Sequence, residues 1–311
     1  MKEFKLINKF FAKRAGKHKD VICGIGDDSA LLRFSANYDV AVSTDSFISG
    51  VHFPKNTSPY DIGYKALAVN LSDLAAMGAQ PTLATLAITL PKANESWIKQ
   101  FCDGFFSLLK HYNMQLIGGD TTRGPLSVTA NVFGFIPKTK ALYRNGAKPG
   151  DLIYVTGTLG DAGAALKLFD EHFKKKLNHP IPRIREGIAL RGIASAAIDI
   201  SDGLAADLNH ILEQSKVGAT IYVDNLPLST KLVKAMGKKS AQRLALSAGD
   251  DYELCFTVSP KKSSQLKVIA SKFPITYIGN IEQHMGLRIQ DHQGNLFALK
   301  QTGYEHSWNQ I

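Results

Sequence analysis

The feature that most constrains the fold is a polar, basic stretch in the middle of the chain, PKTKALYRNGAKPG at 137–150. It separates two series of alternating strands and helices, and its prolines and glycines are typical of an interdomain linker. The chain has 311 residues, enough for two halves that each bury a core. We therefore predict one domain over residues 1–137, a linker over 138–150 and a second domain over 151–311.

The spacing of apolar residues predicts strands and helices in both halves. In the first half it predicts strands at 39–45, 82–90 and 126–136, with helices beginning at Pro59, after Ser58 as N-cap, and near Asn94. In the second half it predicts strands at 151–156, 197–200, 219–223, 251–258 and 275–279, and a helix from Asp161. The lysines at 174–176 are predicted to lie in a solvated loop. Together these elements predict an α+β fold built from mixed α/β layers.

Charge and composition exclude several classes of protein. The net charge is +10, from 37 Lys and Arg against 27 Asp and Glu, which favours anionic ligands. The basic residues are scattered and do not alternate with aromatic residues as in an RNA-binding sheet, so we predict no nucleic-acid partner. No apolar run approaches the ~20 residues of a transmembrane helix, which predicts no membrane association. Three cysteines without a CxxC pair favour a reducing, cytoplasmic location.

Aspartates beside glycine, serine or threonine recur where strands and helices end. They are Asp27 and Asp28 in GIGDDSA, Asp45 in STDS, Asp73 in NLSDL, Asp120 in GGDTTRG, Asp199 and Asp202 in IDISDG, and Asp250 and Asp251 in SAGDDYE. Any one of them is also typical of a turn or a helix cap. Two carboxylates about 4 Å apart repel by about 4 kcal/mol at an effective dielectric constant near 20, so their convergence requires cations. Mg²⁺ binds such oxygen ligands together with substrate phosphates, and the pattern therefore predicts a magnesium–nucleotide site.

Other nucleotide and metal sites fit the sequence less well. The phosphate-binding motif GxxxxGK[ST] is absent. The turn GIGDDS is similar to a dinucleotide-binding turn, but only about ten residues separate it from the next strand, too few for the crossover helix. Its two aspartates would also repel a pyrophosphate that lacked a metal. None of the nine histidines has HxxxH spacing, which argues against zinc.

Seven segments carry a resemblance to a known family. In chain order they are GIGDDSALL, STDSFISGVHF, YKALAVNLSDLAAMGAQP, LIGGDTTRGP, RNGAKPGDLIYVTGTLGDA, AIDISDGLAADL and DYELCFTV. Together they resemble the thiamine-monophosphate kinases of the PurM-like (aminoimidazole ribonucleotide synthetase-like) ATP-dependent superfamily, over nearly the whole chain. The resemblance implies an N-terminal domain that binds ATP and magnesium and dimerises through its sheet, followed by a C-terminal α/β domain. A homodimer is therefore expected.

The resemblance also implies a reaction and the residues that serve it. ATP would donate its γ-phosphoryl group to the phosphate of thiamine monophosphate by direct in-line transfer, assisted by several Mg²⁺ ions and without a covalent enzyme intermediate, giving thiamine diphosphate and ADP. The implied metal ligands are Asp28, Ser43, Thr44, Asp45, Asp73, Asp120, Asp199 and Asp202. The implied ATP-binding residues are Gly119, Asp120, Arg144 and Ser201, and the implied substrate-binding residues are His52, Asp250 and Tyr304.

The chain departs from the family pattern in two places. The family usually has GGED before YEL, whereas this chain has AGDD at 248–251, so the acid implied at the substrate, Asp250, is one methylene shorter. The family also often has a second aromatic residue near the end of the chain. Both Tyr304 and Trp308 qualify to stack on thiamine.

Alternatives stay open for the function and for three residues. The chain could be another PurM-like ATP-dependent enzyme, either aminoimidazole ribonucleotide synthetase-like or selenophosphate synthetase-like; the latter needs a reactive cysteine, and Cys23 lies beside Gly24 in a different motif. A basic nucleic-acid-binding protein is the alternative from another class. His52 also fits a hydrogen-bonded loop histidine, Arg144 suits phosphate geometry, and Lys65 is predicted to be a solvated or packing residue.

Overall fold

The computed structural model describes residues 3–25, 29–168, 170–299 and 301–304, without the side chains of residues 3 and 4. The chain divides into two units: unit 1 comprises residues 1–74 and 79–139, and unit 2 comprises residues 75–78 and 140–311. In this part of the chain, no helix combines the length and the apolar character needed to cross a lipid bilayer.

Unit 1 begins with a short helix, α1 (Glu3–Leu6), which continues through one π-helical turn and one 3₁₀ turn to Arg14. The elements that follow are β1 (Val21–Cys23), β2 (Leu31–Leu32), β3 (Tyr38–Ile48), α2 (Pro59–Ala76), β4 (Gln80–Leu90), α3 (Glu95–His111), β5 (Gln115–Arg123) and β6 (Ser127–Pro137). Four of the strands form one sheet in the order β3-β6-β4-β5, in which β4 and β5 are parallel and the other neighbours antiparallel.

Helices α2 and α3 pack against each other at two glycines. A Cβ on Gly63 would lie 2.1 Å from the carbonyl oxygen of Phe101, and a Cβ on Gly104 would lie 2.1 Å from that of Tyr60. Because no side chain fits at such distances, the two helices can approach this closely only where both residues are glycine. The contact fixes α2, which carries Asp73, within unit 1.

Strand β3 is an edge strand and presents apolar side chains to solvent. Tyr38, Val40, Val42 and Ile48 are 36% to 58% exposed, whereas Phe47 is buried. Alternate residues of a strand point to opposite faces of the sheet, so the four exposed residues share one face. We call these four residues the β3 outer face.

Unit 2 is built around a second, larger sheet. Its elements are β7 (Leu152–Thr156), α4 (Asp161–Ala165), α5 (Glu171–Asn178), α6 (Ile184–Ala189), β8 (Ala196–Asp199), α7 (Leu204–Ser215), β9 (Gly218–Tyr222), α8 (Thr230–Met236), α9 (Lys238–Ser247), β10 (Leu254–Val258), α10 (Ser263–Ala270), β11 (Ile275–Glu282) and β12 (Gly286–Gln290). The six strands have the order β12-β9-β11-β7-β10-β8, and only β12 and β9 are parallel.

Helix α7 contributes its apolar face to the core of unit 2. Leu204, Leu208 and Ile211 are fully buried in the same cluster as Ile198 of β8 and Ile221 of β9. Burying a leucine or isoleucine side chain stabilises a fold by about 1.5–3 kcal/mol, so this packing fixes the start of α7 relative to the end of β8. Both units combine a sheet with helices, which confirms the predicted α+β fold class.

The loop predicted around the lysines at 174–176 is wrong, because they lie in α5. The Asp170 side chain caps this helix by accepting a hydrogen bond from the backbone nitrogen of His172 at 2.8 Å. Phe173 and Leu177, four residues apart, are buried on one side of it. The three lysines are exposed on the helix surface.

The strand predicted at 251–258 is also wrong at its start, since β10 begins only at Leu254. Asp250 and Tyr252 have φ angles of +61° and +51°. This left-handed region is incompatible with an extended strand. The segment that carries Asp250 is therefore a turn, which places the residue at the end of the sheet.

Candidate active site

Two aspartates of unit 1 lie side by side between the sheet and α2. Asp45 is on β3 and Asp73 is on α2, and their side chains are within hydrogen-bonding contact. The Ser43 hydroxyl, on the same face of β3 as Asp45, donates a hydrogen bond to Oδ2 of Asp73. Burial, the negative charge of Asp73 and the hydrogen bond with it raise the pKa of Asp45 to about 6. The pair therefore concentrates negative charge that a proton or a cation would neutralise.

Thr44, which is also implied as a metal ligand, is not placed with this pair. The Thr44 side chain lies on the opposite face of β3, where its hydroxyl donates a hydrogen bond to Oδ1 of Asn131. Strand alternation causes this, because Thr44 lies between Ser43 and Asp45. Asp28 lies outside the described residues.

Aromatic residues continue the face of β3 that carries Asp45. Phe47 is buried, and the His52 ring stacks on it with the two centroids 5.6 Å apart. His52 Nδ1 accepts a hydrogen bond from the backbone nitrogen of Ile48 at 3.1 Å, so the proton of the neutral ring is on Nε2. Lys65 of α2 is 4% exposed, with its ammonium 6.0 Å from the Phe47 ring, which makes it a packing residue and not a solvated one.

A cavity of about 640 Å³ opens in unit 1 beside the GGD segment of β5. Gly118, Gly119 and Asp120 line it together with apolar residues, among them Phe11, Leu86, Leu116 and Ile117. Gly119 has a φ of +147°, and a Cβ there would lie 1.8 Å from the carbonyl oxygen of Leu86. Only glycine allows β5 to run this close to β4 at this point.

Unit 2 gathers its candidate residues around the loop between β8 and α7, which we call the 200–203 loop. Asp199 ends β8 and is buried. The carbonyl oxygen of Ser201 accepts a hydrogen bond from the backbone nitrogen of Asp250 at 2.8 Å, and that of Asp202 accepts one from the backbone nitrogen of Tyr304 at 3.0 Å. The fold of unit 2 therefore brings together five residues that the family motifs implied.

Two glycines allow the segments that carry Asp250 and Tyr304 to approach the 200–203 loop. A Cβ on Gly249 would lie 2.5 Å from the carbonyl oxygen of Ser201, and a Cβ on Gly303 would lie 2.8 Å from that of Asp202. Gly249 has a φ of +72° and is followed by Asp250, also left-handed. Aspartate adopts this conformation more readily than most residues, which suits it to the position.

Asp207 is a further residue of this site, and none of the motifs indicated it. It lies buried in the first turn of α7, where Oδ2 accepts hydrogen bonds from the backbone nitrogens of Asp202 at 3.1 Å and Gly203 at 3.0 Å. Burial and then the charge of Asp202 raise the pKa of Asp207 to about 7, although the backbone N–H groups oppose the shift. An acid in the first turn after the glycine of DGLAAD is a pattern that could have identified it.

A partly buried ion pair near the Asp250 turn was also missed. Arg183 Nε donates to Oε2 of Glu253 at 2.6 Å, and Nη2 donates to Oε1. The Thr156 hydroxyl donates to the same Oε2 at 2.6 Å. The arginine and the glutamate are 70 residues apart, so no local sequence pattern reveals the pair.

Arg144 is placed apart from Ser201 within unit 2. Its carbonyl oxygen accepts a hydrogen bond from the Ser215 hydroxyl at 3.1 Å, and Ser215 is the last residue of α7. Ser201 precedes the other end of this 12-residue helix, about 18 Å away along its axis. The structure therefore does not bring these two implied ATP-binding residues together.

The donor atoms of unit 1 suit a hard cation. Within the described ranges, no three or more His, Cys, Asp or Glu side chains are arranged to hold a metal ion. Asp45 and Asp73 supply two carboxylates and Ser43 a hydroxyl. Mg²⁺ is typically held by one or two carboxylates, with waters and substrate phosphates completing its ligands, so this set fits.

Comparison with known proteins decides the family. Residues 26–136 match the N-terminal domain of AIR synthase related proteins, and residues 148–292 match their C-terminal domain. The thiamine-monophosphate kinase of Buchnera aphidicola subsp. Acyrthosiphon pisum is 48% identical, with 98% of both chains covered. The chain belongs to the thiamine-monophosphate kinase family.

Solved structures share the fold over nearly the whole chain. The thiamine-monophosphate kinase from Stenotrophomonas maltophilia K279a is 44% identical with a TM-score of 0.87, covering 96% of this chain and 98% of that one. AaThiL, complexed with AMPPCP and TMP, is 29% identical with a TM-score of 0.77, covering 97% of both chains. These likenesses confirm the family identified from the motifs and its architecture of N-terminal and C-terminal domains.

Proposed function

We propose that this chain transfers the γ-phosphoryl group of ATP to thiamine monophosphate, giving thiamine diphosphate and ADP. Full-length relatives that are 48% identical are thiamine-monophosphate kinases. The structural observation that carries the proposal is the Asp45–Asp73 pair, in which the pKa of Asp45 is raised to about 6. Above this pKa a cation would neutralise the pair, and phosphoryl transfer from ATP needs cations to neutralise the phosphates.

Mg²⁺ is the cation we propose. In unit 1, Asp45 and Asp73 would hold it with the Ser43 hydroxyl. Asp120, which lines the cavity on β5 at the opposite edge of the sheet, would serve a separate ion. When bound, Mg²⁺ would offset the charge on the phosphate oxygens during transfer. Several ions are proposed, and for the others the implied ligands are Asp28, Thr44, Asp199 and Asp202.

The chain's own residues position the reactants and form no covalent bond with the phosphoryl group. An oxygen of the thiamine monophosphate phosphate forms a bond to the γ-phosphorus, and the bond from that phosphorus to the β–γ bridging oxygen breaks, so that ADP leaves. A phosphate monoester has a second pKa near 6, so its oxygen is already ionised at pH 7. The reaction therefore needs no general base from the protein.

We propose the cavity beside Gly119 and Asp120 as the ATP site. Its volume of about 640 Å³ suits a ligand of nucleotide size, and its walls pair apolar side chains with the GGD backbone. AaThiL is complexed with AMPPCP, an analogue of ATP, which supports nucleotide binding by this fold. Ser201 and Arg144 stay predictions as ATP-binding residues.

Thiamine monophosphate is proposed to contact His52, Asp250 and Tyr304. The His52 ring is held by Phe47 and Ile48 in one orientation, with Nε2 as its donor. Tyr304 is 51% exposed, which leaves its ring accessible for stacking. Trp308, the alternative stacking residue, lies outside the described residues.

A homodimer is proposed through the β3 outer face. This apolar face is solvent-exposed, and a second copy packed against it would bury Val40, Val42 and Ile48. The cytoplasmic location expected from the cysteines stays a prediction.

The test is an ADP-release assay that compares thiamine monophosphate, thiamine and aminoimidazole precursors with Mg-ATP. We expect ADP and thiamine diphosphate in equal amounts with thiamine monophosphate alone, and none after divalent cations are chelated. Mg-ATP should also raise the melting temperature, since a ligand at a hundredfold excess over Kd stabilises the native state by about 2.7 kcal/mol. ADP release with an aminoimidazole precursor and not with thiamine monophosphate would contradict the proposal.

A further inference from the structure

Asp207 makes the contacts that hold the 200–203 loop, on which several proposed site residues depend. We propose that Asp207 is a positioning residue of the kinase reaction: it fixes the loop that presents Ser201 and Asp202 and, through that loop, the segments that carry Asp250 and Tyr304. The inference rests on the function proposed above.

The Asp207 carboxylate binds the peptide N–H groups that precede α7. The N–H groups of Asp202 and Gly203 lie before the first turn of α7, where no helical carbonyl is available to accept from them. Oδ2 of Asp207 accepts from both, at 3.1 Å and 3.0 Å, while the residue is only 2% exposed. Gly203 has a φ of +126°, a conformation that side-chain-bearing residues rarely adopt. The carboxylate thus stabilises one particular conformation of the loop.

The same peptide groups also bind the segments that carry Asp250 and Tyr304. The N–H of Asp202 and the carbonyl of Ser201 belong to one planar trans peptide, so they point in opposite directions. The first is bound by Asp207, and the second accepts the hydrogen bond from the Asp250 nitrogen at 2.8 Å. When Asp207 fixes the N–H group, it therefore also fixes the direction of the carbonyl group that binds Asp250.

The next peptide repeats this arrangement. The N–H of Gly203 is bound by Asp207 at 3.0 Å, and the carbonyl of Asp202 accepts from the Tyr304 nitrogen at 3.0 Å. A Cβ on Gly303 would lie 2.5 Å from the Cβ of Ala206 and 2.8 Å from the same carbonyl oxygen, so the C-terminal segment fits against α7 with little space to spare. A rotation of either peptide would displace a segment that carries a proposed substrate contact.

The experiment separates positioning from ordinary helix capping. Asp207→Ala removes the acceptor, whereas Asp207→Asn keeps one acceptor oxygen of nearly the same size. Asp170→Ala is the matched control, since Asp170 also caps a helix of unit 2 with its carboxylate but has no contact with the 200–203 loop. For each variant, kcat, both KM values, the Kd for Mg-AMPPCP and the melting temperature are measured.

We expect Asp207→Ala to raise KM for thiamine monophosphate and the Kd for Mg-AMPPCP by about tenfold or more, which corresponds to about 1.4 kcal/mol. Asp207→Asn should restore both constants to near the wild-type values. Asp170→Ala should lower the melting temperature and leave the constants unchanged. If Asp207→Ala does not fold, Asp207→Ser takes its place, because its hydroxyl is too short to reach both nitrogens.

The proposal is overturned if Asp207→Ala, or Asp207→Ser in its place, lowers the melting temperature as Asp170→Ala does but leaves KM and Kd unchanged. Asp207 would then only cap α7. Failure of the proposed function is recognised separately, in the wild-type protein, by the absence of ADP release with thiamine monophosphate. In that event the Mg-AMPPCP Kd values of the variants still test the positioning role.

Discussion

The side chains of Asp45 and Asp73 lie next to each other in a partly buried place. Two like charges there lower the free energy of unfolding unless a cation or a proton lies between them. The pKa of Asp45 is raised from 3.8 to about 6, so the folded state binds this proton more tightly than the unfolded chain. The unfavourable contribution is therefore absent below pH 3.8, and in the cation-free protein it is fully present above the folded-state pKa of about 6. At neutral pH a bound cation would remove it.

Asp73→Asn tests this pair. We expect kcat to fall by roughly 10²–10³, as when one preorganised electrostatic group is lost, because a carboxylate ligand becomes a neutral amide. The melting temperature of the cation-free protein at pH 7 should not fall, since the change removes the charge that repels Asp45. Asp39→Asn, at the exposed start of the same strand and six residues from Asp45, is the control and should keep full activity. Near-wild-type turnover by a folded Asp73→Asn protein would show that Asp73 binds no metal.

Asp250 combines a left-handed backbone with a proposed substrate contact, so its variants must keep the backbone unchanged. Asparagine also tolerates a φ of +61°, and Asp250→Asn therefore removes only the charge. We expect KM for thiamine monophosphate to rise by up to roughly tenfold, because a hydrogen bond to a charged group becomes a weaker one to a neutral amide, with KM for ATP little changed. Asp250→Glu should keep modest activity. If neither KM changes and only the melting temperature falls, Asp250 is a turn residue without a substrate role.

At the scale of elements, β5 both pairs closely with β4 and lines the proposed nucleotide site. Its two consecutive glycines have different roles. A Cβ on Gly119 would meet the carbonyl oxygen of Leu86 at 1.8 Å, whereas a Cβ on Gly118 would meet no atom within 4 Å. Gly119 is thus needed for pairing with β4, whereas Gly118 lines the cavity without filling it with a side chain.

Gly119→Ala should therefore destabilise unit 1, and Gly118→Ala should not. Overpacking against a neighbouring backbone typically costs about 1–3 kcal/mol, and the positive φ of Gly119 adds to that cost. Chemical denaturation of the two alanine variants measures the difference. Equal free energies of unfolding for both would mean that β5 can move away from β4 without loss.

At the scale of the whole molecule, the β3 outer face is the surface on which we expect a second copy to pack. Its four apolar residues lie on one edge strand, and Val42 is the most exposed of them at 58%. An exposed apolar edge strand is prone to unwanted pairing unless another molecule or element covers it. Dimerisation would remove this surface from solvent.

Val42→Lys should convert the dimer into a monomer, because it places a charge in the centre of the proposed interface. Val268→Lys on α10 is the matched control, since this valine is 62% exposed in unit 2 and should leave the dimer intact. Analytical ultracentrifugation of the two variants and the wild type measures the mass. A monomeric wild type, or a dimeric Val42→Lys protein, would contradict the proposed interface.

Local patterns were sufficient for most of the secondary structure and for the family. Pro59 at a helix start, the alternation of β6 and the motif around Asp73 are determined by residues close together in sequence, and the structure and the comparisons confirm them. The strand predicted from residue 251 is wrong because Asp250 and Tyr252 adopt left-handed conformations, which hydrophobic alternation does not encode. Short-range information thus predicts elements better than the turns between them.

The amino-acid sequence by itself determined most of the helices and strands, the family and the acids that we propose for its chemistry, because propensity, periodicity and motifs act over a few residues. Only the tertiary structure decided which of those acids meet. It placed Ser43 against Asp73, 30 residues away, and turned Thr44 to the other face of the sheet. It also bound Asp207 to the loop beneath Asp250 and Tyr304 and paired Arg183 with Glu253. Such contacts depend on how strands and helices pack, which brings together side chains that have no fixed spacing along the chain.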